Sequence, residues 1–218
     1  MSYYGVSLKN NEEQQELARL ICDNHTEIII CLGNAGTGKT FTSLAASLQM
    51  RFEKKYDNII YTRTPRQLGD SMGFLPGDTN EKFGPFMGGL YDNIESIAKK
   101  SDMHPQVNDI KNKIECVPLA FMRGRSLDNC IIIGDEAQNF DLVSLKALLT
   151  RMGQYSKIIL LGSLNQIDDP AQRRKEKCDF EQVIESIQDL PYVAVVELTK
   201  SMRSPHCAEI DERLNSIK

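Results

Sequence analysis

The sequence contains no tryptophan, and aromatic residues make up only 7% of its 218 residues. Long apolar runs are also missing, since none approaches the roughly 20 residues that a helix needs to cross a bilayer. The opening residues, MSYYG, do not begin the basic segment and apolar stretch that direct secretion. These absences predict a chain with no membrane contact and no signal peptide.

Paired cysteines and excess positive charge are missing as well. The six cysteines, at positions 22, 31, 116, 130, 178 and 207, include no Cys-x-x-Cys pair. This spacing argues against a disulfide framework or a zinc site and favours a reduced, cytoplasmic compartment. Lysine and arginine number 26 against 30 acidic residues, a net charge of −4. A nucleic-acid partner would therefore be held by local basic patches rather than by a basic face.

A phosphate-binding motif is the main positive feature. Residues 33–40 fit the pattern G-x-x-x-x-G-K-[ST] at every fixed position, and they are Gly33, Asn34, Ala35, Gly36, Thr37, Gly38, Lys39 and Thr40. Segment 27–32 before it is typical of a buried parallel strand, and segment 41–50 after it is typical of a helix. A glycine turn with an incidental lysine is the alternative. Strand, loop and helix together favour a nucleotide-binding P-loop.

Each part of the P-loop has a predicted task. The glycines let backbone N–H groups surround the phosphates, and the helix N-terminus adds partial positive charge. Lys39 would contact the β- and γ-phosphates of ATP, and the Thr40 hydroxyl would bind Mg²⁺.

A second motif carries two acids. The apolar run 130–133 is followed by Gly134, Asp135 and Glu136, which places both carboxylates at the carboxyl end of a strand, where open α/β sheets bind ligands. In this Walker B arrangement, Asp135 would hold Mg²⁺ through water and Glu136 would be the general base that deprotonates the attacking water. An acidic turn capping the next helix is the alternative. The second acid favours attack by water over transfer to a small-molecule acceptor.

Amide side chains are further candidates. Gln14 follows Asn11 at the spacing of a capping box. It would close that box, or bind adenine, because an amide matches the donor and acceptor at adenine N6 and N7; the two roles are compatible. Asn165 or Gln166, just after the apolar segment 157–161, is placed to sense the γ-phosphate, although a plain turn explains them equally well.

The order of the predicted elements defines the fold class. Strand-like and helical segments alternate, which predicts an α/β fold with a parallel sheet of about five strands flanked by helices. Residues 1–10 are predicted to be an N-terminal arm and residues 11–218 a single domain. Residues 65–113 are too many for a bare loop and predict an insertion. It includes a helix over 85–100 whose apolar side chains share one face: Phe86, Leu90, Ile94 and Ile97.

Six stretches in chain order carry a family resemblance: GNAGTGKT, TRTPRQLGDSMGFLPGD, EKFGPFMGGLYDN, PLAFMRGRSL, IIIGDEAQN and GSLNQID. Over about residues 11–205 the chain resembles the PhoH-like ATPases, P-loop proteins near the superfamily 1 helicases. The resemblance implies a RecA-like core, ATP hydrolysis, a cytoplasmic location, a hexameric ring and a phage or bacterial source. It also implies that Gln14 reads adenine and that Arg63 belongs to a helicase-like motif. The chain departs from the family at Gly162-Ser163, where Gly-Asp is usual, and at residues 63–65, where Thr-Arg-Pro is usual.

An arginine from a neighbouring subunit is expected to complete the ATP site. One RecA-like domain leaves its P-loop open at the strand ends, and an arginine finger can speed phosphoryl transfer by ~10³–10⁵. Arg203 is the first candidate, because its segment resembles the helicase motif whose arginine reaches the γ-phosphate; Arg151 and Arg125 follow. An ion pair of Arg203 with Glu197 or Glu209 is the alternative.

Local arginines are also the predicted contacts to single-stranded RNA or DNA, namely Arg63, Arg66, Arg123 and Arg125, although ion pairs explain the last two equally well. The sequence thus predicts an ATPase with Mg²⁺ as its cofactor. Three functions remain open: a ring-forming ATPase acting on RNA or DNA, a nucleotide-dependent switch or interaction module, and, less favoured, a small-molecule kinase.

Overall fold

The N-terminal segment forms a hairpin that packs on the domain. The computed structural model describes residues 2–64, 87–122, 125 and 127–215. Strands β1 (Ser2–Tyr3) and β2 (Val6–Ser7) pair antiparallel. The turn between them needs Gly5, whose φ is +73° and whose absent Cβ would lie 2.3 Å from the Ser101 hydroxyl. Because Tyr3, Tyr4, Val6 and Leu8 are buried in the core, the predicted arm is packed on the domain rather than extended from it.

Six strands form the main sheet, one more than the predicted number of about five. They are β3 (Ile28–Leu32), β4 (Asn58–Arg63), β5 (Ile114–Pro118), β6 (Cys130–Asp135), β7 (Lys157–Gly162) and β8 (Val193–Glu197). All neighbouring pairs are parallel, in the order β5-β4-β6-β7-β3-β8. Strand β7 therefore lies between the P-loop strand β3 and the acid-bearing strand β6. This order is that of a RecA-like core, and the predicted fold class is confirmed.

Helices cover both faces of the sheet. They are α1 (Glu12–Cys22), α2 (Lys39–Phe52), α3 (Gly88–Lys100), α4 (Val107–Lys111), α5 (Leu142–Leu149), α6 (Pro170–Arg173), α7 (Asp179–Ile187) and α8 (Pro205–Asn215). Side chains alternate along a strand, so Ile29 of β3 packs toward α1, α2 and α3, and Ile30 packs toward α5 and α7. Across the described part of the chain, no helix is long and apolar enough to span a membrane.

The described part of the predicted insertion is helical. Leu90, Ile94 and Ile97 of α3 are buried in the core, as their spacing predicted. Helix α3 begins at Gly88, and the predicted helix start at residue 85 lies outside the described residues. Residues 65–86, including Phe86 and Arg66, lie outside the described residues.

A buried lysine ties the sheet to the first helix. Lys157, at the start of β7, is only 1% exposed. Its Nζ donates to the carbonyl oxygens of Ile21 (2.7 Å) and Asp23 (2.6 Å) at the end of α1. These bonds satisfy carbonyl groups that have no partner within the helix, and they fix the position of α1 beside the P-loop strand.

Candidate nucleotide site

A backbone hydrogen bond fixes the start of the P-loop, and a glycine in a left-handed conformation forms its end. The Gly33 N–H donates to Gly162 O at 3.2 Å, which joins the start of the loop to the end of β7. A Cβ on Gly33 would lie 2.3 Å from the backbone oxygen of Leu198, so only glycine fits where β3 passes the end of β8. At the other end, Gly38 has φ +89° and leads directly into α2.

The start of α2 supplies open donors for an anion. The first bond of this helix runs from the Thr42 N–H to Gly38 O at 2.9 Å. The N–H groups of Lys39, Thr40 and Phe41 therefore have no partner within the helix. Open N–H groups at the start of a 14-residue helix, together with its dipole, fit a phosphate group.

Lys39 lies across the loop that precedes it. Its Nζ donates to Gly33 O at 2.6 Å and to Asn34 O at 3.0 Å. Burial lowers the pKa of Lys39, while the nearby acids Asp135 and Glu136 act in the opposite direction. The ammonium group thus lies on the P-loop among the acids of β6, where it is placed to meet phosphate oxygens.

The predicted metal ligands are in contact with each other. The Thr40 hydroxyl donates to Asp135 Oδ2 at 3.2 Å, and the buried Tyr61 hydroxyl donates to the same oxygen. Burial, and then the Asp135 carboxylate, raise the pKa of Tyr61 well above its usual value, so its hydroxyl stays protonated. Tyr61 was not predicted as a site residue, because a tyrosine within an apolar strand is most simply explained as core.

This donor set fits Mg²⁺ rather than a metal held by protein alone. In the described portion of the chain, no group of three or more His, Cys, Asp or Glu side chains is arranged to hold a metal ion. Mg²⁺ is usually bound by one or two protein oxygens together with phosphate oxygens and water. Thr40 and Asp135 provide such a pair beside the open N-terminus of α2.

Glu136 is oriented by a buried amide. Its backbone is left-handed, with φ +57°, and its carboxylate accepts from Gln138 Nε2 at 2.7 Å. Gln138 is fully buried; its Nε2 also donates to Gln166 O (2.9 Å), and its Oε1 accepts from the Ser163 N–H (3.0 Å). Burial, and then Asp135, raise the pKa of Glu136, which is a property of carboxylates that act as bases. Gln138 was missed, since nothing in its spacing distinguishes it from an ordinary turn residue.

The amides after β7 lie against the P-loop. Gln166 Oε1 accepts from the Ala35 N–H at 3.2 Å, and Asn165 Nδ2 donates to Asn34 Oδ1 at 3.3 Å. At the strand end where the family usually has Gly-Asp, the Ser163 hydroxyl also meets Asn34 Oδ1, at 3.5 Å. Both predicted amides therefore lie beside the loop, and their sensing of a γ-phosphate remains a prediction.

The side chain of Gln14, on α1, hydrogen-bonds to the backbone of the P-loop. The Gln14 N–H donates to the Asn11 side chain at 3.1 Å, which confirms Asn11 as the helix cap. The second half of the capping box does not form, because the Asn11 N–H donates to Leu8 O. Instead, Gln14 Nε2 donates to Thr37 O at 3.0 Å. Gln14 is only 3% exposed, and its role toward adenine remains a prediction.

Arg203 lies on the P-loop of its own chain. The Met202 N–H donates to Gly36 O at 2.8 Å, and a Cβ on Gly36 would lie 2.5 Å from Arg203 Nε. This placement differs from the expectation that Arg203 reaches a neighbouring subunit, since the bond from Met202 folds its segment back onto the loop. The suggested partner Glu209 pairs with Arg213 instead, at 2.6 Å.

The other predicted arginines that the structure describes have different surroundings. Arg63 lines the same cavity as Asp135 and Glu136. Arg125 forms an ion pair with Glu115 at 2.9 Å, which agrees with the ion-pair alternative. Arg151 is exposed in the turn after α5, and Arg123 lies outside the described residues. Of the four arginines predicted to contact nucleic acid, Arg63 and Arg125 lie within the described residues, and their contact with RNA or DNA stays a prediction.

These elements converge on one cavity of about 430 Å³, a size within the usual range for small-molecule sites. Its walls come from α1, the P-loop and α2, the ends of β4 and β6, helix α3 and the segment after β8. The lining residues are Gln14, Ala35, Gly36, Gly38, Lys39, Thr40, Phe41, Arg63, Gly89, Asn93, Ser96, Lys100, Asp135, Glu136, Met202 and Arg203.

The fold and this cavity define a P-loop nucleotide-binding protein. A family model described as PhoH-like protein matches residues 7–215. The chain therefore belongs to the PhoH-like protein family, as its motifs indicated.

Individual relatives are similar over parts of their length. The PhoH-like protein of Synechocystis sp. is 41% identical over 144 residues, 66% of this chain and 43% of that protein. The PhoH-like protein of Bacillus subtilis is 35% identical over 188 residues, 85% of this chain and 57% of that protein. The chain thus spans about half the length of these curated relatives. Among solved structures, the Pif1 helicase from Candida albicans is similar with a TM-score of 0.48 and 15% identity, over 96% of this chain and 44% of that chain.

Proposed function

We propose that this protein binds ATP with Mg²⁺ and hydrolyses it to ADP and phosphate. One observation carries the proposal: the Thr40 hydroxyl lies 3.2 Å from Asp135 Oδ2, and the same cavity holds Lys39 and the Glu136 carboxylate. These are the groups that phosphoryl transfer to water requires, namely a phosphate cation, a metal-binding oxygen pair and a base.

Each residue then has one task in the reaction. The N–H groups at the start of α2 and the Lys39 ammonium bind the phosphates. When bound, Mg²⁺ would neutralise charge on the β- and γ-phosphate oxygens, held through Thr40 and Asp135. Glu136 accepts a proton from water as the water oxygen attacks the γ-phosphorus, and the bond from that phosphorus to the bridging oxygen of ADP breaks.

Arg203 is proposed to act on the nucleotide of its own chain. Its side chain lies over Gly36 and lines the same cavity as Lys39 and Glu136. A guanidinium at this place would stabilise charge that develops on the phosphate oxygens. Its contact with the P-loop supports this assignment over one in a neighbouring subunit.

Action on single-stranded RNA or DNA by a hexameric ring is the wider form of the proposal. The family resemblance supports it, and a cytoplasmic location belongs with it. Arg63 and Arg125 give it no direct support, because Arg63 lines the nucleotide cavity and Arg125 pairs with Glu115. The alternatives are a nucleotide-dependent switch and, less favoured, a small-molecule kinase.

The deciding measurement is phosphate release from ATP, with and without Mg²⁺, single-stranded RNA and single-stranded DNA. We expect Mg²⁺-dependent release that increases with one of the polymers. A Glu136→Gln protein prepared in the same way controls for contaminating ATPases. No release above this control would contradict hydrolysis. ATP-dependent assembly without any polymer effect would favour the switch, and phosphate found on an acceptor would favour the kinase.

A further inference from the structure

The segment between β8 and α8 carries two residues of the nucleotide cavity without belonging to a helix or a strand. Residues 198–204 have no regular secondary structure, and Met202 and Arg203 within them line the cavity. Leu198 is buried, and its N–H continues the sheet by donating to Leu32 O at 2.8 Å. Residues 199–203, by contrast, are partly or fully exposed. Their position on the P-loop therefore depends on specific contacts rather than on burial.

Glu13, in the first turn of α1, receives three hydrogen bonds from this segment. Its Oε2 accepts from the Thr199 N–H at 2.7 Å and from the Lys200 N–H at 3.1 Å, and its Oε1 accepts from the Thr199 hydroxyl. Burial acts to raise the pKa of Glu13, but the hydrogen bonds from Thr199 and Lys200 bring it below its usual value. The carboxylate is therefore ionised at neutral pH, and it joins parts of the chain that are 186 positions apart.

The anchor at Glu13 lies close to the contact that the segment makes with the P-loop. The Met202 N–H, three residues after Thr199, donates to Gly36 O at 2.8 Å. Arg203 follows directly, and its Nε lies 2.5 Å from the place that a Cβ on Gly36 would take. Because so few residues separate the two contacts, the anchor restricts where Met202 and Arg203 can lie.

We propose that Glu13 is a positioning residue, which holds segment 199–203 so that Arg203 lies on the P-loop of its own chain. Glu13 does not line the cavity, so it acts through the segment rather than on the nucleotide. Without its carboxylate, the segment keeps its connection to β8 but loses three of the bonds that fix its direction. The catalytic part of the inference rests on the proposed function, since it requires that Arg203 stabilises charge on the phosphate oxygens.

Hydrogen exchange tests the positioning without any need for hydrolysis. Glu13→Ala removes the acceptor of the Thr199 and Lys200 N–H groups directly, so the informative amide is that of Met202, whose acceptor Gly36 O is unchanged. This amide should exchange roughly 10-fold faster in Glu13→Ala than in the wild type, because the segment opens more easily. Mass spectrometry with fragmentation to single residues measures the rate.

Glu12→Ala is the matched control for this measurement. Glu12 is an acid in the same first turn of α1 and is exposed. Its replacement removes the same charge from the helix N-terminus, and with it the same favourable interaction with the helix dipole, but it leaves the bonds of Glu13 in place. Glu12→Ala should therefore leave the exchange of the Met202 amide unchanged. Thermal melting establishes that both variants are folded.

Phosphate release from ATP tests the consequence for the reaction. In Glu13→Ala, kcat should fall roughly 10-fold, because a displaced catalytic group is costly. In an Arg203→Ala background, the same substitution should cost nothing further, since groups that act as a unit are not additive. A merely structural role would lower kcat by the same factor in both backgrounds. Glu12→Ala should keep the wild-type kcat.

The outcomes separate this inference from the proposed function. Unchanged exchange of the Met202 amide in Glu13→Ala, equal changes in Glu12→Ala, or the same loss of kcat with and without Arg203 would each overturn it. A wild type that releases no phosphate would contradict hydrolysis. Faster exchange at Met202 in Glu13→Ala alone would, even then, support Glu13 as the residue that positions the segment.

Discussion

The side-chain amide of Gln138 donates to the carboxylate of Glu136 at 2.7 Å. The same amide is fixed by the Ser163 N–H and by the Gln166 carbonyl oxygen. Glu136 has a left-handed backbone conformation, and the bond from Gln138 holds its side-chain carboxylate in place. The proposed base is thus positioned by a residue that does not itself line the nucleotide cavity.

Replacing Gln138 tests this dependence. Gln138→Leu should lower kcat by roughly 10-fold to 100-fold, because a misplaced catalytic group is costly. The affinity for ATP should change little, since Lys39 and the helix N-terminus are untouched. Steady-state phosphate release and equilibrium ATP binding measure the two effects separately.

Two controls separate positioning from a general loss of structure. Gln172→Leu removes another buried glutamine, 2% exposed and bonded to Asp179, and should lower stability without lowering kcat beyond the change in folded protein. In a Glu136→Gln background, Gln138→Leu should cost nothing further, since groups that act as a unit are not additive. Equal kcat losses at positions 138 and 172 would contradict the positioning role.

Substitutions at Lys39 and at Glu136 should have different effects on ATP binding and on ATP hydrolysis. Lys39→Ala removes the cation proposed to contact the phosphates in the ground state, so tight ATP binding should be lost. Glu136→Gln removes the proposed base and keeps the shape of the side chain, so ATP should still bind while hydrolysis falls by roughly 10²–10⁴. A Glu136→Gln protein that hydrolyses ATP at the wild-type rate would show that Glu136 is not the base.

The Mg²⁺ assignment can be tested on neighbouring threonines of α2. Thr40→Val keeps the side-chain shape but removes the hydroxyl that contacts Asp135. The Mg²⁺ concentration for half-maximal activity should rise by roughly 10-fold to 100-fold, an effect seen even when groups that only support metal ligands are lost. Thr42→Val is the matched control, because the buried Thr42 hydroxyl has no hydrogen-bond partner among the residues that the structure describes. An unchanged Mg²⁺ requirement in Thr40→Val would rule out the hydroxyl as a ligand.

Much of the framework was predictable from the sequence because its signals are local. Apolar strands followed by glycines or acids predicted the P-loop and the Asp135–Glu136 pair, and the cap at Asn11 formed as expected for a helix start. The main sheet has six strands, where the sequence predicted about five. Residues 65–86 leave part of the insertion outside the described chain.

The missed features depend on contacts between distant segments. Tyr61 reaches Asp135 across 74 positions, and Gln138 reaches the carbonyl oxygen of Gln166 across 28. The hydrophobic pattern correctly identified the buried face of α3. It gave no indication that Asn93 and Ser96, on another face of this helix, line the nucleotide cavity. Likewise, the motif around Arg203 indicated a phosphate contact, whereas its placement depends on the bond from Met202 to Gly36.

Mixing two inactive proteins distinguishes the two placements of Arg203. Arg203→Ala should lower hydrolysis by roughly 10³-fold or more if the guanidinium stabilises the transition state. When Arg203→Ala is mixed with Lys39→Ala, an arginine acting between subunits would restore activity at interfaces that join an intact P-loop to an intact Arg203. An arginine acting within its own chain cannot do so, because no chain in the mixture has both groups. Since Arg203 packs on Gly36 of its own P-loop, we expect no recovery.

The experiment requires proof that the two variants assemble together, which cross-linking of differently tagged chains provides. Arg151→Ala, which alters an exposed arginine outside the cavity, is the control and should keep wild-type activity. Recovery of activity in the mixed assembly would show that Arg203 leaves its own P-loop and acts on a neighbour. In that case the bond from Met202 to Gly36 would have to open during the reaction cycle, and Met202→Pro, which removes the N–H, should not abolish activity.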